Sequence, residues 1–133
     1  MKTLIVEDDF ISRNLLLKYL QNFGQCDMAT DGHEALAAFI AALDNNEPYD
    51  LICLDINIPE ITGDAVLSHI RSAEESRGIH GLNGTKVVMT TGLSDKDSIL
   101  GAFRSGCEAY LLKPISRGKF LEQLSKLGFS EIR

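Results

Sequence analysis

Two hydrophobic patterns alternate along this chain. Leu4-Ile5-Val6 and Leu51-Ile52-Cys53-Leu54 are short, unbroken apolar runs that end in carboxylate, the first at Glu7-Asp8-Asp9 and the second at Asp55. Between such runs lie longer segments whose apolar residues recur every three to four positions, the period of a helix with one buried face. Unbroken apolar strands are buried on both faces and belong to a parallel sheet with helices on either side. The pattern predicts strands at residues 3–6, 26–29, 51–54, 86–90 and 109–112, and helices at 11–23, 32–43, 63–76, 96–105 and 116–127. Gly24, Gly106 and Gly128 fall where helix stops are expected. Right-handed crossovers between successive strands make this an α/β fold whose ligands bind at the carboxyl edge of the sheet. Residues 77–84 hold three glycines and read as a flexible surface loop with no function of its own.

With 133 residues and neither linker nor repeat, the chain is expected to form a single domain over 1–133, with no output domain. A chain of that size buries a core without disulfides or structural metal. Its 13 Lys and Arg against 19 Asp and Glu give a net charge of -6, and no basic cluster is present, which argues against a nucleic-acid partner. The three cysteines, Cys26, Cys53 and Cys107, are odd in number and widely spaced, as buried thiols in a reducing compartment would be. The N-terminal apolar stretch is too short for a signal peptide and no run approaches a membrane span. A cytoplasmic location without a membrane partner is therefore expected.

Glu7, Asp8 and Asp55, gathered at one sheet edge, repel one another unless a cation neutralises them. A hard divalent ion suits them, and Mg²⁺ in particular is content with one or two carboxylates, waters and a phosphate oxygen. Asp9 reads instead as the cap of the first helix. Thr90-Thr91-Gly92 follows the fourth strand and Lys113-Pro114 the fifth, bringing a hydroxyl and an ammonium to the same edge. Acids, metal, hydroxyl and ammonium together suit a phosphoryl group, whose transfer depends on positioning and charge stabilisation. His33, His69 and His80 lack ligand spacing and read as solvated side chains.

With these residues in view, the chain resembles the receiver domains of two-component response regulators over essentially its whole length. The resemblance is carried by Leu4-Ile5-Val6-Glu7-Asp8-Asp9, by the stretch from Ala29 to Leu36, by Leu54-Asp55-Ile56-Asn57-Ile58-Pro59 with Gly63, by Thr91-Gly92, and by Tyr110-Leu111-Leu112-Lys113-Pro114. It implies a flavodoxin-like five-stranded sheet of order 2-1-3-4-5, an order that general principles already attach to the chemotaxis receiver. It further implies that Asp55 accepts a phosphoryl group from a histidine kinase or histidine phosphotransfer protein. Mg²⁺ would be held by Asp8, Asp55 and the Asn57 main-chain carbonyl, with Glu7 acting through a metal-bound water.

Thr91 takes the place of the switch hydroxyl, Tyr110 of the rotating aromatic and Lys113 of the phosphate-contacting lysine, with a cis Lys113-Pro114 bond aiming the ammonium into the pocket. The implied protein is a signalling switch for an unknown downstream partner and not an enzyme, save for acting on its own phosphoryl group. Gly92, Leu93 and the long loop after the third helix depart mildly from the family pattern and bear on the rate of dephosphorylation.

Two other functions fit less well. A haloacid-dehalogenase-like phosphatase wants a second Asp two positions after the nucleophile, where Asn57 stands, and a longer chain. A flavodoxin-like carrier wants a phosphate loop after the first strand, where Glu7-Asp8-Asp9 would repel the ligand. At about 100° per residue, the first helix places Leu15, Leu16, Tyr19, Leu20 and Phe23 on one face and leaves Phe10 and Leu17 opposite, a candidate docking surface for the phosphoryl donor.

Overall fold

A computed structural model describes residues 1–92, 100–101 and 106–132. Its strands are β1 (Lys2–Val6), β2 (Gln25–Ala29), β3 (Leu51–Asp55), β4 (Lys86–Thr91) and β5 (Ala109–Leu112). Its helices are α1 (Phe10–Leu20), α2 (Gly32–Asp44), α3 (Gly63–Ser76) and α4 (Arg117–Lys126), with a 3-10 turn at Gly81–Asn83. All pairings are parallel and the strand order is β2-β1-β3-β4-β5. The helix expected at 96–105 lies outside the described residues, apart from Leu100 and Gly101, which are helical.

Successive strand residues serve two different cores, which is why the strands carry no polar alternation. Leu4, Val6, Ile52, Leu54, Val87 and Met89 pack with Phe39 of α2 and with Val66, Leu67 and Ile70 of α3. Ile5, Leu51, Cys53, Val88 and Leu111 pack on the other face with Leu16 and Leu20 of α1 and Phe120 and Leu124 of α4. Each such side chain, fully buried, contributes roughly 1.5–3 kcal/mol.

The helices begin where a short polar side chain accepts an otherwise unpaired amide. Asp9 accepts from Ser12 N at 2.9 Å, Asp31 from Glu34 N at 2.8 Å, Thr62 from Ala65 N at 3.4 Å and Ser116 from Lys119 N at 3.2 Å. The first helix stops at Leu20, short of the expected Phe23. Phe23 is buried in the turn instead, its amide bonded to Leu20 O, and Gly24 follows at φ 127°, where a side chain would also meet the Met1 backbone.

The structure also corrects the expected position of Leu17. Because Leu15 and Tyr19 are only half-buried, the buried centre of α1 lies between Leu16 and Leu20, and Leu17 sits about 80° from it. Leu17 is accordingly half-buried and packs against the α1–α4 core, not outside it. Phe10, the first residue of α1, is 66% exposed.

The loop at 77–84 contains the 3-10 turn, and its exit is held by the buried carboxylate of Glu74, which accepts from Thr85 N at 2.7 Å.

Candidate functional site at the carboxyl edge of the sheet

The strand order places the ends of β1, β3, β4 and β5 side by side, so the residues that follow them share one edge. Glu7 leaves β1 with its amide still bonded to Ala29 O at 3.0 Å, and its side chain turns inward until only 1% of the residue is exposed. Asp55, the last residue of β3, is 4% exposed, whereas Asp8 faces solvent. Carboxylate oxygens of Glu7, Asp8 and Asp55 lie within 4.8 Å of one another, an all-oxygen donor set of the kind that hard divalent cations favour. Among the described residues this is the one acidic or His/Cys grouping with such geometry.

Lys113 reaches the same cluster. Its ammonium bonds to Glu7 Oε1 and lies 3.1 Å from Asp55 Oδ2, and the Lys113-Pro114 peptide is cis, as the resemblance implied. Burial holds the Glu7 carboxyl above the usual carboxylate range, and the neighbouring Asp55 adds to that while Lys113 opposes it. For Lys113, burial works against the charged form but is outweighed by Glu7 and Asp55, so the ammonium is held more firmly than in water. The second Asp55 oxygen, Oδ1, accepts from Asn57 N at 3.1 Å, which sets the main chain of Asn57 beside the acids.

Gly63 is required where the chain turns back after Asp55. Its amide donates to Ile56 O at 2.8 Å, and a Cβ would collide with the Asp55 carbonyl oxygen and lie 2.7 Å from Ile56 Cα.

Thr91 is wholly buried at the end of β4. Met89 pairs with Tyr110 and Thr91 with Leu112, so by strand alternation Thr91 and Tyr110 lie diagonally on one face, the face covered by α2 and α3. Tyr110 is half-buried against that core. Gly92 is exposed, and among the described residues nothing lies within 4 Å of where a Cβ would stand; Leu93 lies outside the described residues.

Two features escaped the sequence reading. Ile11 is more exposed than Phe10 and borders an apolar groove with Leu15, Leu16, Pro114 and Ile115, directly beside Lys113. Arg13 turns back from α1 onto the loop that carries the acids, donating to Glu7 O at 3.1 Å. Neither has a strong sequence signal, since one is a single apolar residue and the other a single charge on a helix.

The histidines stand apart from this site, and no described helix is long and apolar enough to cross a membrane.

The chain is similar to known signalling proteins throughout this framework. It is 32% identical over 128 residues to hybrid signal transduction histidine kinase L of Dictyostelium discoideum, a match covering 96% of this chain and 7% of that protein. It is 30% identical to transcriptional regulatory protein QseB of Haemophilus influenzae, over 96% of this chain and 52% of that one. The chain thus spans about half the length, or far less, of these relatives. Among solved structures, a chain of the CheX-CheY-BeF3-Mg²⁺ complex from Borrelia burgdorferi shares the fold with a TM-score of 0.82 at 24% identity, covering 96% of this chain and 88% of that one. A CheY-like receiver domain protein from Methanospirillum hungatei gives a TM-score of 0.73 at 26% identity, covering 94% and 90%. The family profile of the response regulator receiver domain matches residues 3–125, and with the strand order and carboxyl-edge site just described, the chain belongs to that family of two-component signalling proteins.

Proposed function

We propose that Asp55 accepts a phosphoryl group from a phosphohistidine donor, in a reaction that requires Mg²⁺, and that the resulting aspartyl phosphate switches a protein-binding face. One observation carries this reading. The Asp55 carboxylate is buried at a strand end, with one oxygen on a backbone amide and the other on Lys113, beside two further carboxylates. Receiver domains are signalling switches that bind Mg²⁺ at such a pocket, and Asp8, Asp55 and the Asn57 carbonyl would hold the ion here with Glu7 acting through water. When bound, the ion supplies positive charge against the phosphoryl oxygens.

The remaining steps belong to the chain. An Asp55 carboxylate oxygen forms the O–P bond as the P–N bond to the donor imidazole breaks and its electron pair returns to nitrogen. Lys113 already stands at the acceptor and stabilises the added negative charge. Phosphorylation adds close to two negative charges and three acceptor oxygens at Asp55. Thr91 then moves toward them, and Tyr110, diagonal to it on the same sheet face, rotates into the vacated space and reshapes the surface around β5. The donor docks on the exposed Phe10 at the head of α1, with Leu17 contributing only what its half-burial leaves open.

Incubation with acetyl phosphate and Mg²⁺ should add one phosphoryl group by intact mass. Neither Asp55→Asn nor EDTA-treated protein should be labelled, and equal labelling of either refutes the proposal. Phe10→Ala should slow transfer from a phosphohistidine protein while leaving acetyl phosphate labelling nearly unchanged.

A further inference from the structure

The loop between β1 and α1 is three residues long, Glu7-Asp8-Asp9, and its two ends are fixed by different means. Glu7 is tied to the sheet by its amide and to Lys113 by its carboxylate. Asp9 caps α1 through Ser12 N and gives its own amide to Glu7 Oε2 at 3.2 Å. Asp8, between them, is different. It faces solvent, and among the described residues no hydrogen bond is recorded to its carboxylate.

A single residue holds the backbone on which that carboxylate is mounted. Arg13 Nη1 donates to Glu7 O at 3.1 Å and, over a longer contact of 3.4 Å, to Asp8 O. The Arg13 amide donates to Asp9 O at 2.9 Å. All three carbonyls of the loop therefore accept from Arg13. Its guanidinium also lies near the exposed Phe10 ring, with Cζ 5.6 Å from the ring centroid.

We propose that Arg13 is a positioning residue for divalent metal, acting through Asp8. By gripping the peptide carbonyls on both sides of Asp8 it fixes the direction in which that otherwise unsupported carboxylate points. The inference rests on the metal reading of the acidic cluster. It makes a prediction of unusual sign, because Arg13 is a cation close to a cation site. If its influence were electrostatic, removing it would relieve repulsion and tighten Mg²⁺ binding. If it positions Asp8, removing it weakens binding, as loss of groups that orient metal ligands does by about tenfold or more.

The test is Mg²⁺ binding to the unphosphorylated chain, measured by calorimetry on wild type, Arg13→Met, Arg13→Lys, Asp8→Ala and the Arg13→Met/Asp8→Ala double variant. Arg13→Met should raise the Kd about tenfold, with the metal-free thermal midpoint moving little, and Arg13→Lys should recover part of the loss. In the Asp8→Ala background, Arg13→Met should bring no further weakening, since the residue through which Arg13 acts is gone. Unchanged or tighter binding by Arg13→Met overturns the proposal, and so does a full tenfold loss in the Asp8→Ala background. Should Arg13→Met fold poorly, Arg13→Gln carries the same comparison. Absence of Mg²⁺ binding by wild type would overturn the metal reading itself, a result distinct from either.

Discussion

Replacing Arg71 should destabilise the chain heavily while sparing its phosphoryl chemistry. Arg71, on α3, donates from Nε and Nη2 to Gly106 O at 3.0 and 2.6 Å, and from Nη1 to Thr85 O at 2.7 Å. It also pairs with Glu74 at 2.8 Å and with Glu108 at 3.0 Å. Glu108 Oε2 accepts from Val87 N at 2.6 Å, so one guanidinium joins α3 to the starts of β4 and β5. Removing one partner of a buried ion pair costs about 3–5 kcal/mol, because the other charge is left uncompensated.

Two facts place this site at the low end. The Arg71 side chain is 24% exposed, so water reaches its region, and Glu74 keeps its bond from Thr85 N. Arg71→Met, which preserves the aliphatic stem, should therefore cost about 3 kcal/mol, against about 1 kcal/mol for Glu74→Gln, which retains an acceptor for Thr85. With a urea slope of roughly 1.5 kcal/mol per M, the Arg71→Met midpoint should fall by about 2 M in far-ultraviolet circular dichroism. The clamp lies at the amino edge of the sheet and the acids at the carboxyl edge, so acetyl phosphate should still label the folded variant. A midpoint shift below about 0.5 M would show that the pair is solvated and the clamp adds little.

Other outcomes follow from the same geometry. Gly63→Ala should destabilise by at least about 2 kcal/mol, because the new methyl meets backbone on both sides and neither can yield; a melt within about 0.5 kcal/mol of wild type would contradict that. Tyr49, whose hydroxyl donates to Asp27 at 2.7 Å, has its pKa raised by burial and then by Asp27. Its contribution is therefore complete below the unfolded value near 10 and declines as pH rises toward the folded value, so wild type should lose more stability than Tyr49→Phe between about pH 9 and 11. Parallel melting profiles for the two would refute the assignment. Cys53 is fully buried and burial pushes the Cys107 thiol up to about 11, so a thiol reagent at about pH 8 should modify neither until the protein is unfolded; rapid native labelling of Cys53 would count against this core.

Fold class was legible in the sequence because a parallel sheet with two covered faces leaves an unbroken apolar run wherever a strand lies. Leu4-Ile5-Val6 and Leu51-Ile52-Cys53-Leu54 carry that signal whatever their neighbours do. The strand ends were legible for a related reason, since acids, hydroxyls and a lysine that close such runs mark where the apolar core gives way to the carboxyl edge. The strand order came from the resemblance, and the structure bears it out. The sequence pattern also counted Phe23 as helical, whereas the turn at Gly24, closed over Met1, ends α1 early. It treated Leu15 and Tyr19 as core residues, and their half-burial is what moves the buried face toward Leu17. Lys113 was expected at the edge it shares with Glu7 and Asp55, and the structure supplies its bonds to both, whereas tertiary structure alone brought Arg71 onto Gly106 and Glu108. Local patterns report which face of an element is buried, because burial acts on each residue where it stands, whereas the partners of a charged side chain depend on which distant loops the completed fold sets within its reach.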